Sequence, residues 1–392
     1  MISVSHQKIG RHILPVIVLA QFAGTSLWFA GNAVAGDLQK ALHLDLRAIG
    51  DITSAVQFGF ISGTLLFAFF SVADRFSPSK VFLGSALAGA LFNLGVVWFA
   101  GNLWELLLLR FLTGFFLAGI YPVGMKIAAD WHEKGLGKAL GYLVGALVLG
   151  TAFPHLLKAL TTTLPWSAIL VATSLLAAMG GIVLFFTVGD GPYRKPAPRF
   201  QWNAIPRVFG EPSFRAAAFG YFGHMWELYA LWAFIPLALG HYVQTTGMQT
   251  FQVPLWSFFI IAAGALGCVW GGYQSMKKGS AWVAMLMLTI SGLCCILSPL
   301  LYHLPGWLFL PILIVWGFGV VGDSPQFSTL VAQTAPADLR GTALTIVNCI
   351  GFAITIGSIQ LLTALRGEWS FAYLFLLLAP GPVFGWWQMR EL

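Results

Sequence analysis

Residues 219–234 read FGYFGHMWELYALWAF. Fourteen of these sixteen residues are apolar, aromatic or glycine, and the other two, His224 and Glu227, stand three apart. Whether a carboxylate and an imidazole inside such a run signal function depends on what surrounds it. The chain has 392 residues, 58% hydrophobic and only 9% charged, against roughly 25% charged in soluble domains. It could not cover its surface in water, so it belongs in a bilayer. The net charge of +7 is spread too thinly for a phosphate-binding face, which excludes nucleic acid as a partner. Cys268, Cys294, Cys295 and Cys349 all sit inside hydrophobic runs, with neither a disulfide framework nor metal-ligand spacing. They read as small packing residues, and no metal or cofactor is expected.

Apolar runs of spanning length recur at 12–35, 48–72, 80–101, 103–127, 137–159, 165–188, 213–238, 252–273, 280–302, 306–331, 341–365 and 369–388. Each is long enough to cross about 30 Å of hydrocarbon at about 1.5 Å per residue. The first run follows MISVSHQKIGRH and resembles a signal peptide, but its length reads as a retained membrane helix. Twelve crossings place both termini on one side. Of the 21 Lys and Arg, Lys40, Arg47, Lys158 and Arg366 fall in loops on the opposite side and Arg110 lies inside a span. The rest, from Lys8 and Arg11 to Arg390, share the side of the termini, including Lys134, Lys195 and Arg199. That bias assigns the termini to the cytoplasm of a multi-pass protein of the cell inner membrane. The connection 189–212, rich in Pro and basic residues, reads as a linker between six-helix halves at 1–188 and 213–392.

The halves share a pattern. Gly119-Ile-Tyr-Pro122 in span four is matched by Gly322-Asp-Ser-Pro325 in span ten, and Gly137-Lys-Ala-Leu140 is matched by Gly341-Thr-Ala-Leu344 at nearly the same spacing. Duplicated halves are typical of secondary transporters with a midplane site. The loop after span two, Phe70-Ser-Val-Ala-Asp74-Arg75-Phe-Ser-Pro-Ser-Lys80, resembles the G-x-L-a-D-R-x-G-R-R signature of the major facilitator superfamily at Ala73, Asp74, Arg75 and, more loosely, Lys80. Phe70 and Ser77 stand where that signature has glycine. Arg110-Phe-Leu-Thr-Gly114 is similar to the superfamily's R-x-x-Q-G, with Thr113 for Gln. The loop after span eight keeps Gly271 and the basic Lys277 and Lys278 but has Ser275 at the acidic position. The resemblance covers essentially the whole chain. It implies an all-α membrane protein of twelve transmembrane helices in two pseudo-symmetric six-helix bundles, working as a monomer by alternating access. It also implies gating by Asp74, Arg75 and Lys80 in the N-terminal half, with the central cavity lined by spans one, four, seven and ten. AGDLQ, GLGKALG and GDSPQFSTLV resemble, loosely, a bacterial branch of small-anion and metabolite porters.

Against this background the buried charges are informative, since each costs about 2.5–3.5 kcal/mol at a helix centre on insertion scales. Arg110, His224, Glu227 and Asp323 are the clear cases, and all fall on the spans expected to line the cavity. His224 lies about 16 Å and Glu227 about 21 Å into span seven, sharing a face. In dry surroundings Glu227 would hold a proton and in wet ones release it, as proton coupling requires. The competing reading is an ion pair to Arg110 or a backbone contact. His224 either shares that proton, contacts substrate or is structural. Arg110, about 10 Å deep, either attracts an anionic substrate or neutralises an acid, and Tyr121 follows three turns later on the same face. Asp323, with Gln326 at i+3, either caps a helix break or takes part in binding. Gln21, Thr25, Trp28 and Asn32 form one stripe on span one, lining a cavity or bonding neighbouring helices. Lys126 marks the inner mouth, and His155 reads as structural.

The expected function is secondary active transport of a small polar metabolite, anions included, driven by protons as coupling ion. The alternatives are a proton-driven exporter of drugs or other amphipathic compounds, and a transporter-like receptor. An enzyme is not expected, because His224 and Glu227 alone make no catalytic constellation. An ATP-driven pump lacks its GxxxxGK[ST] loop.

Overall fold

A backbone in lipid must satisfy its own hydrogen bonds, so long apolar runs become helices. The computed structural model describes residues 10–132, 136–161, 163–194, 200–201, 205–248, 251–390 and 392. It is 83% helix, with no strand among the described residues. Of the basic residues used to orient the chain, Lys8, Lys134, Lys195 and Arg199 lie outside them.

Nine described helices are long and apolar enough to cross a membrane. They are spans two to six (Ala48–Phe69, Pro78–Phe99, Leu103–Trp131, Ala139–Leu160, Ser167–Thr187) and eight to eleven (Val253–Lys278, Ser280–Leu301, Gly306–Thr334, Arg340–Leu365). The other three spans of the twelve-helix fold are irregular or more polar. Span one breaks into Ile13–Thr25, Ala30–Ala33 and Ala35–Ala41. Span seven runs from Pro212 to Thr246, past the expected end near 238, and carries His224 and Glu227. Span twelve has a 3-10 turn at Phe375–Leu378 between Phe371–Leu374 and Pro380–Met389, where a proline-rich restart interrupts the α-helix.

The sequence repeat has a structural counterpart. Span four stops at Leu117 and restarts as Tyr121–Trp131, with Pro122 in its first turn. Span ten stops at Gly322 and restarts as Ser324–Thr334, with Pro325 in its first turn. Proline suits a helix start, where its missing N–H has no partner to lose. Within each half the helix before the break is crossed closely by a glycine-bearing neighbour. Gly59 and Gly63 of span two face the carbonyls of Phe111 and Phe115, and Gly264 and Gly267 of span eight face those of Gly317 and Phe318. A Cβ at these positions would strike backbone, so only glycine allows the approach. The matched breaks also correct one expectation. The turn at 118–120 interrupts span four, so Arg110 and Tyr121 do not continue one helical face.

Between the halves, spans five and eight pack together. Gly141 and Gly145 lie against Cys268, Gly272 and Ala265, and the hydroxyls of Tyr142 and Tyr273 meet at 3.0 Å. Spans two and eleven meet at one end. There Gly50 packs on Thr363, and Gln360 Nε2 donates to Asp51 Oδ1 at 3.1 Å and to Ser54 Oγ at 2.9 Å. At the other end, which carries the loop after span two, these helices are separated by a cavity.

Candidate substrate cavity and buried polar networks

That cavity holds about 640 Å³, within the range of small-molecule sites. Thr64, Phe67, Ala68 and Ser71 of span two and Val123, Met125 and Lys126 of span four line one wall. Ser328, Thr329 and Gln333 of span ten and Thr342, Thr345 and Asn348 of span eleven line the other. The second wall is thus mostly hydroxyls and amides. At its inner end a smaller space of about 30 Å³ shares Ser328 and Asn348 and is bounded by Tyr121, Tyr221, Tyr229, Ser324, Leu228 and Phe352. Its described lining contains no charged side chain. Beyond it lies an aromatic layer in which Trp28 stacks on Tyr229 and Phe352 with centroids 5.7 and 5.6 Å apart. Phe60 packs 4.5 Å from Phe352.

The four buried ionisable residues do not meet in this space. Arg110 is fully buried, and its bonds stay in the N-terminal half. Nη2 donates to the carbonyls of Leu27 at 3.0 Å and Trp28 at 2.8 Å, and Nη1 donates to Asn93 Oδ1 at 2.7 Å. Leu27 and Trp28 lie in the break of span one, where carbonyls lose their helical partners. The guanidinium thus fills a helix break, and its hydrogen bonds go to carbonyl and amide oxygens. Asn93 extends the network, its amide nitrogen donating to Leu170 O, Thr173 Oγ1 and Ser174 Oγ of span six at 3.2, 3.2 and 2.9 Å. Asn93 escaped the sequence reading because an uncharged amide in a span raises no alarm.

Of the polar stripe of span one, Trp28 and Asn32 bond a neighbouring helix, Thr25 bonds its own helix, and the Gln21 amide is buried with no hydrogen-bond partner among the described residues. Trp28 Nε1 donates to Gln57 Oε1 at 3.2 Å and Asn32 Nδ2 to Thr53 Oγ1 at 2.6 Å, both on span two. Thr25 Oγ1 donates to Gln21 O at 2.8 Å and packs on Gly150 of span five, while the Gln21 amide lies against Gly124 of span four. None of the four lines either cavity.

The C-terminal half differs. Asp323 occupies the break of span ten, and its Oδ1 lies 2.9 Å from His224 Nδ1. It makes no side-chain cap. The other ring nitrogen, Nε2, is 2.8 Å from Ser324 Oγ, and Ser324 is on the wall of the central space. Glu227, one turn along, instead accepts from Trp316 Nε1 at 2.6 Å and from Cys295 Sγ at 3.3 Å, both through Oε1. It joins spans seven, nine and ten, has no ion pair to Arg110, and lines neither cavity. Gln326 is buried beside Gly271 of span eight. Of the expected set, only Tyr121 borders the central space directly. Tyr221, Tyr229, Ser324 and Asn348 were missed. Tyr221 and Tyr229 flank His224 and Glu227 in the run 219–234, the signal that could have found them, whereas Asn348, like Asn93, is an uncharged amide in a span.

At the wide end Lys126 Nζ pairs with Asp74 Oδ1 at 2.8 Å, both lining the cavity. Arg75 and Lys80 are exposed. The loop after span two is fastened from the end of span six. Asp190 accepts from Ser79 N at 3.0 Å and Ser77 Oγ at 2.9 Å, and Arg194 Nη2 donates to the carbonyls of Asp74 and Phe76. Partial burial opposes the Asp190 charge, but these donors and Arg194 outweigh it and hold the carboxyl below its ordinary range. Arg340 also lines this mouth, with no hydrogen bond or ion pair among the described residues.

Two bundles with matched broken helices around a cavity between them agree with the comparisons. The family model for the Major Facilitator Superfamily matches residues 16–359. The chain belongs to this superfamily. It is a multi-pass membrane transporter and not an enzyme. Solved superfamily structures superpose over nearly its whole length. A mutant of the nucleoside transporter NupG has a TM-score of 0.72 at 15% identity, covering 97% of this chain and 99% of that one. The proton:xylose symporter XylE has a TM-score of 0.73 at 12% identity, covering 97% and 95%. In sequence, the "Probable galactarate/D-glucarate transporter GudP" of Pseudomonas putida is 31% identical over 137 residues, 32% of this chain and 30% of that protein. The chain thus spans about a third of the length of this curated relative.

Proposed function

We propose that this transporter moves a small polar metabolite, anions included, by alternating access coupled to protons, with the wide end of its cavity facing the cytoplasm. The observation that carries the reading is the cavity of about 640 Å³ between the halves, whose inner end touches a buried titratable pair through Ser324. The units that rock are taken as 1–188 and 213–392, joined by the linker, with Asp74, Lys126 and the fastened loop governing the mouth. The hydroxyls and amides of spans ten and eleven suit a hydroxylated solute, and Arg340 at the mouth suits an anionic one. Sugar acids combine the two, as the galactarate/D-glucarate relative does by name. Proton coupling rests on His224 and Asp323, and Glu227 braces the helices around them.

Proteoliposome uptake tests this with a panel of D-glucarate, neutral sugars, nucleosides and amphipathic drugs, with and without an imposed pH gradient. Uptake of a polar solute that rises with the gradient is expected. Uptake of drugs alone, or uptake indifferent to the gradient, contradicts the reading.

A further inference from the structure

The central space has no fixed charge in its described lining, and Arg110, the one fully buried Lys or Arg among the described residues, is committed to the break of span one. An anion reaching the centre therefore needs a charge that arrives with it. His224 is placed to supply one, and Ser324 to transmit it.

A serine hydroxyl has a single proton to donate. With neutral His224 holding its proton on Nδ1 toward Asp323, Nε2 is an acceptor. The Ser324 O–H must then point at Nε2 across the 2.8 Å contact, leaving only lone pairs toward the cavity. When a proton from cavity water binds Nε2, the bond reverses. Nε2–H donates to Ser324 Oγ, and the serine proton is freed to turn into the cavity. We propose that protonation of His224 switches Ser324 from acceptor to donor at the cavity wall, making the centre a site for a carboxylate that binds only together with a proton. This rests on the transport reading above and adds the order of events and the residue that reads the proton.

The other titratable groups leave this switch to His224. Asp323 faces it from span ten, with Oδ1 2.9 Å from Nδ1. Tyr221, on the same helix, lies 5.9 Å away ring to ring. Tyr121 of span four borders the same space as Tyr221. Cys268 of span eight bonds Val321 O at 3.2 Å, Cys295 of span nine bonds Glu227, and Cys349 of span eleven is a buried thiol. Glu227 is bound by Trp316. Phe327 covers the remaining side of the imidazole at 5.6 Å.

Nitrogen-15 NMR of histidine-labelled protein without substrate, with His224→Gln used to assign the signal, tests the switch alone. At alkaline pH the proton is expected on Nδ1 with Nε2 unprotonated, and Ser324→Ala should shift the Nε2 resonance. A proton on Nε2 at alkaline pH, or no response to Ser324→Ala, overturns the proposal whatever the substrate is. Calorimetry with D-glucarate in buffers of different ionisation enthalpy tests the anion. About one proton should be taken up per anion bound, since His224 changes by a single charge. Ser324→Ala should bind roughly tenfold more weakly, the loss of one charge-assisted hydrogen bond. Anion binding without proton uptake overturns the proposal. Failure of wild-type protein to bind D-glucarate while binding neutral members of the panel overturns the anionic part of both readings and leaves the NMR result to judge the switch.

Discussion

Each half fills a broken helix with different chemistry, span one in the N-terminal half and span ten in the C-terminal half. In the N-terminal half a guanidinium, which stays charged and carries several donors, satisfies the carbonyls freed in span one and reaches Asn93. In the C-terminal half the break of span ten holds a carboxylate against an imidazole, and the imidazole reaches the cavity wall through a hydroxyl. A permanent charge with all its bonds inside one bundle is a scaffold. A buried imidazole–carboxylate pair that reaches the cavity wall through one hydroxyl is, in the function proposed above, a device. The lesson is that burial of a charge in a membrane helix marks importance, and its partners decide the kind.

The largest effect should come from the scaffold. Arg110→Met leaves the Leu27 and Trp28 carbonyls and Asn93 Oδ1 without their donor, at about 1–3 kcal/mol each. A large fall in thermal stability in detergent is expected, and Arg110→Lys should not rescue it because an ammonium lacks the fork. Normal stability with lost anion uptake would instead make Arg110 a binding residue and erase the contrast. Glu227→Gln should do less. The amide oxygen still accepts from Trp316 Nε1, so we expect a loss of about 1 kcal/mol in stability and gradient-driven uptake preserved. Abolished uptake would move coupling from the break to Glu227.

The smallest effect lies outside the spans, at Asp190. Its carboxyl is held below the ordinary range in the fold, so its contribution is present at neutral pH and is lost as pH falls through the folded-state value. Asp190→Asn should cost up to about 1 kcal/mol at neutral pH, because the amide oxygen still accepts from Ser77 and Ser79 and what is lost is the negative charge at a helix N-terminus beside Arg194. Wild type and variant should converge in stability on acidification. A constant difference across pH would show that shape, not charge, fastens the loop after span two.

Much of this fold is legible in the sequence because it follows from length and apolarity alone. Nine spans announce themselves that way, and Gly322-Asp-Ser-Pro325 announces the break of span ten. The break of span one is less visible, since Leu27, Trp28 and Phe29 are as apolar as any helix interior. The site was only partly legible. Periodicity found the stripe Gln21, Thr25, Trp28 and Asn32, but a polar stripe packed among helices has the same spacing as one facing water. Three-residue spacing grouped His224 with Glu227, yet one meets Asp323 and the other Trp316, because their partners sit two turns apart on span ten. Partners across helices are set by packing, which the linear pattern does not contain.

The most direct measurement compares counterflow with uphill uptake in proteoliposomes bearing Asp323→Asn, using whichever solute the panel identifies. Exchange down a gradient of that solute should persist. Accumulation under a one-unit pH gradient should fall from about tenfold to none, since that gradient is worth about 1.4 kcal/mol per proton. Undiminished accumulation by the variant would contradict the assignment of coupling to the break in span ten.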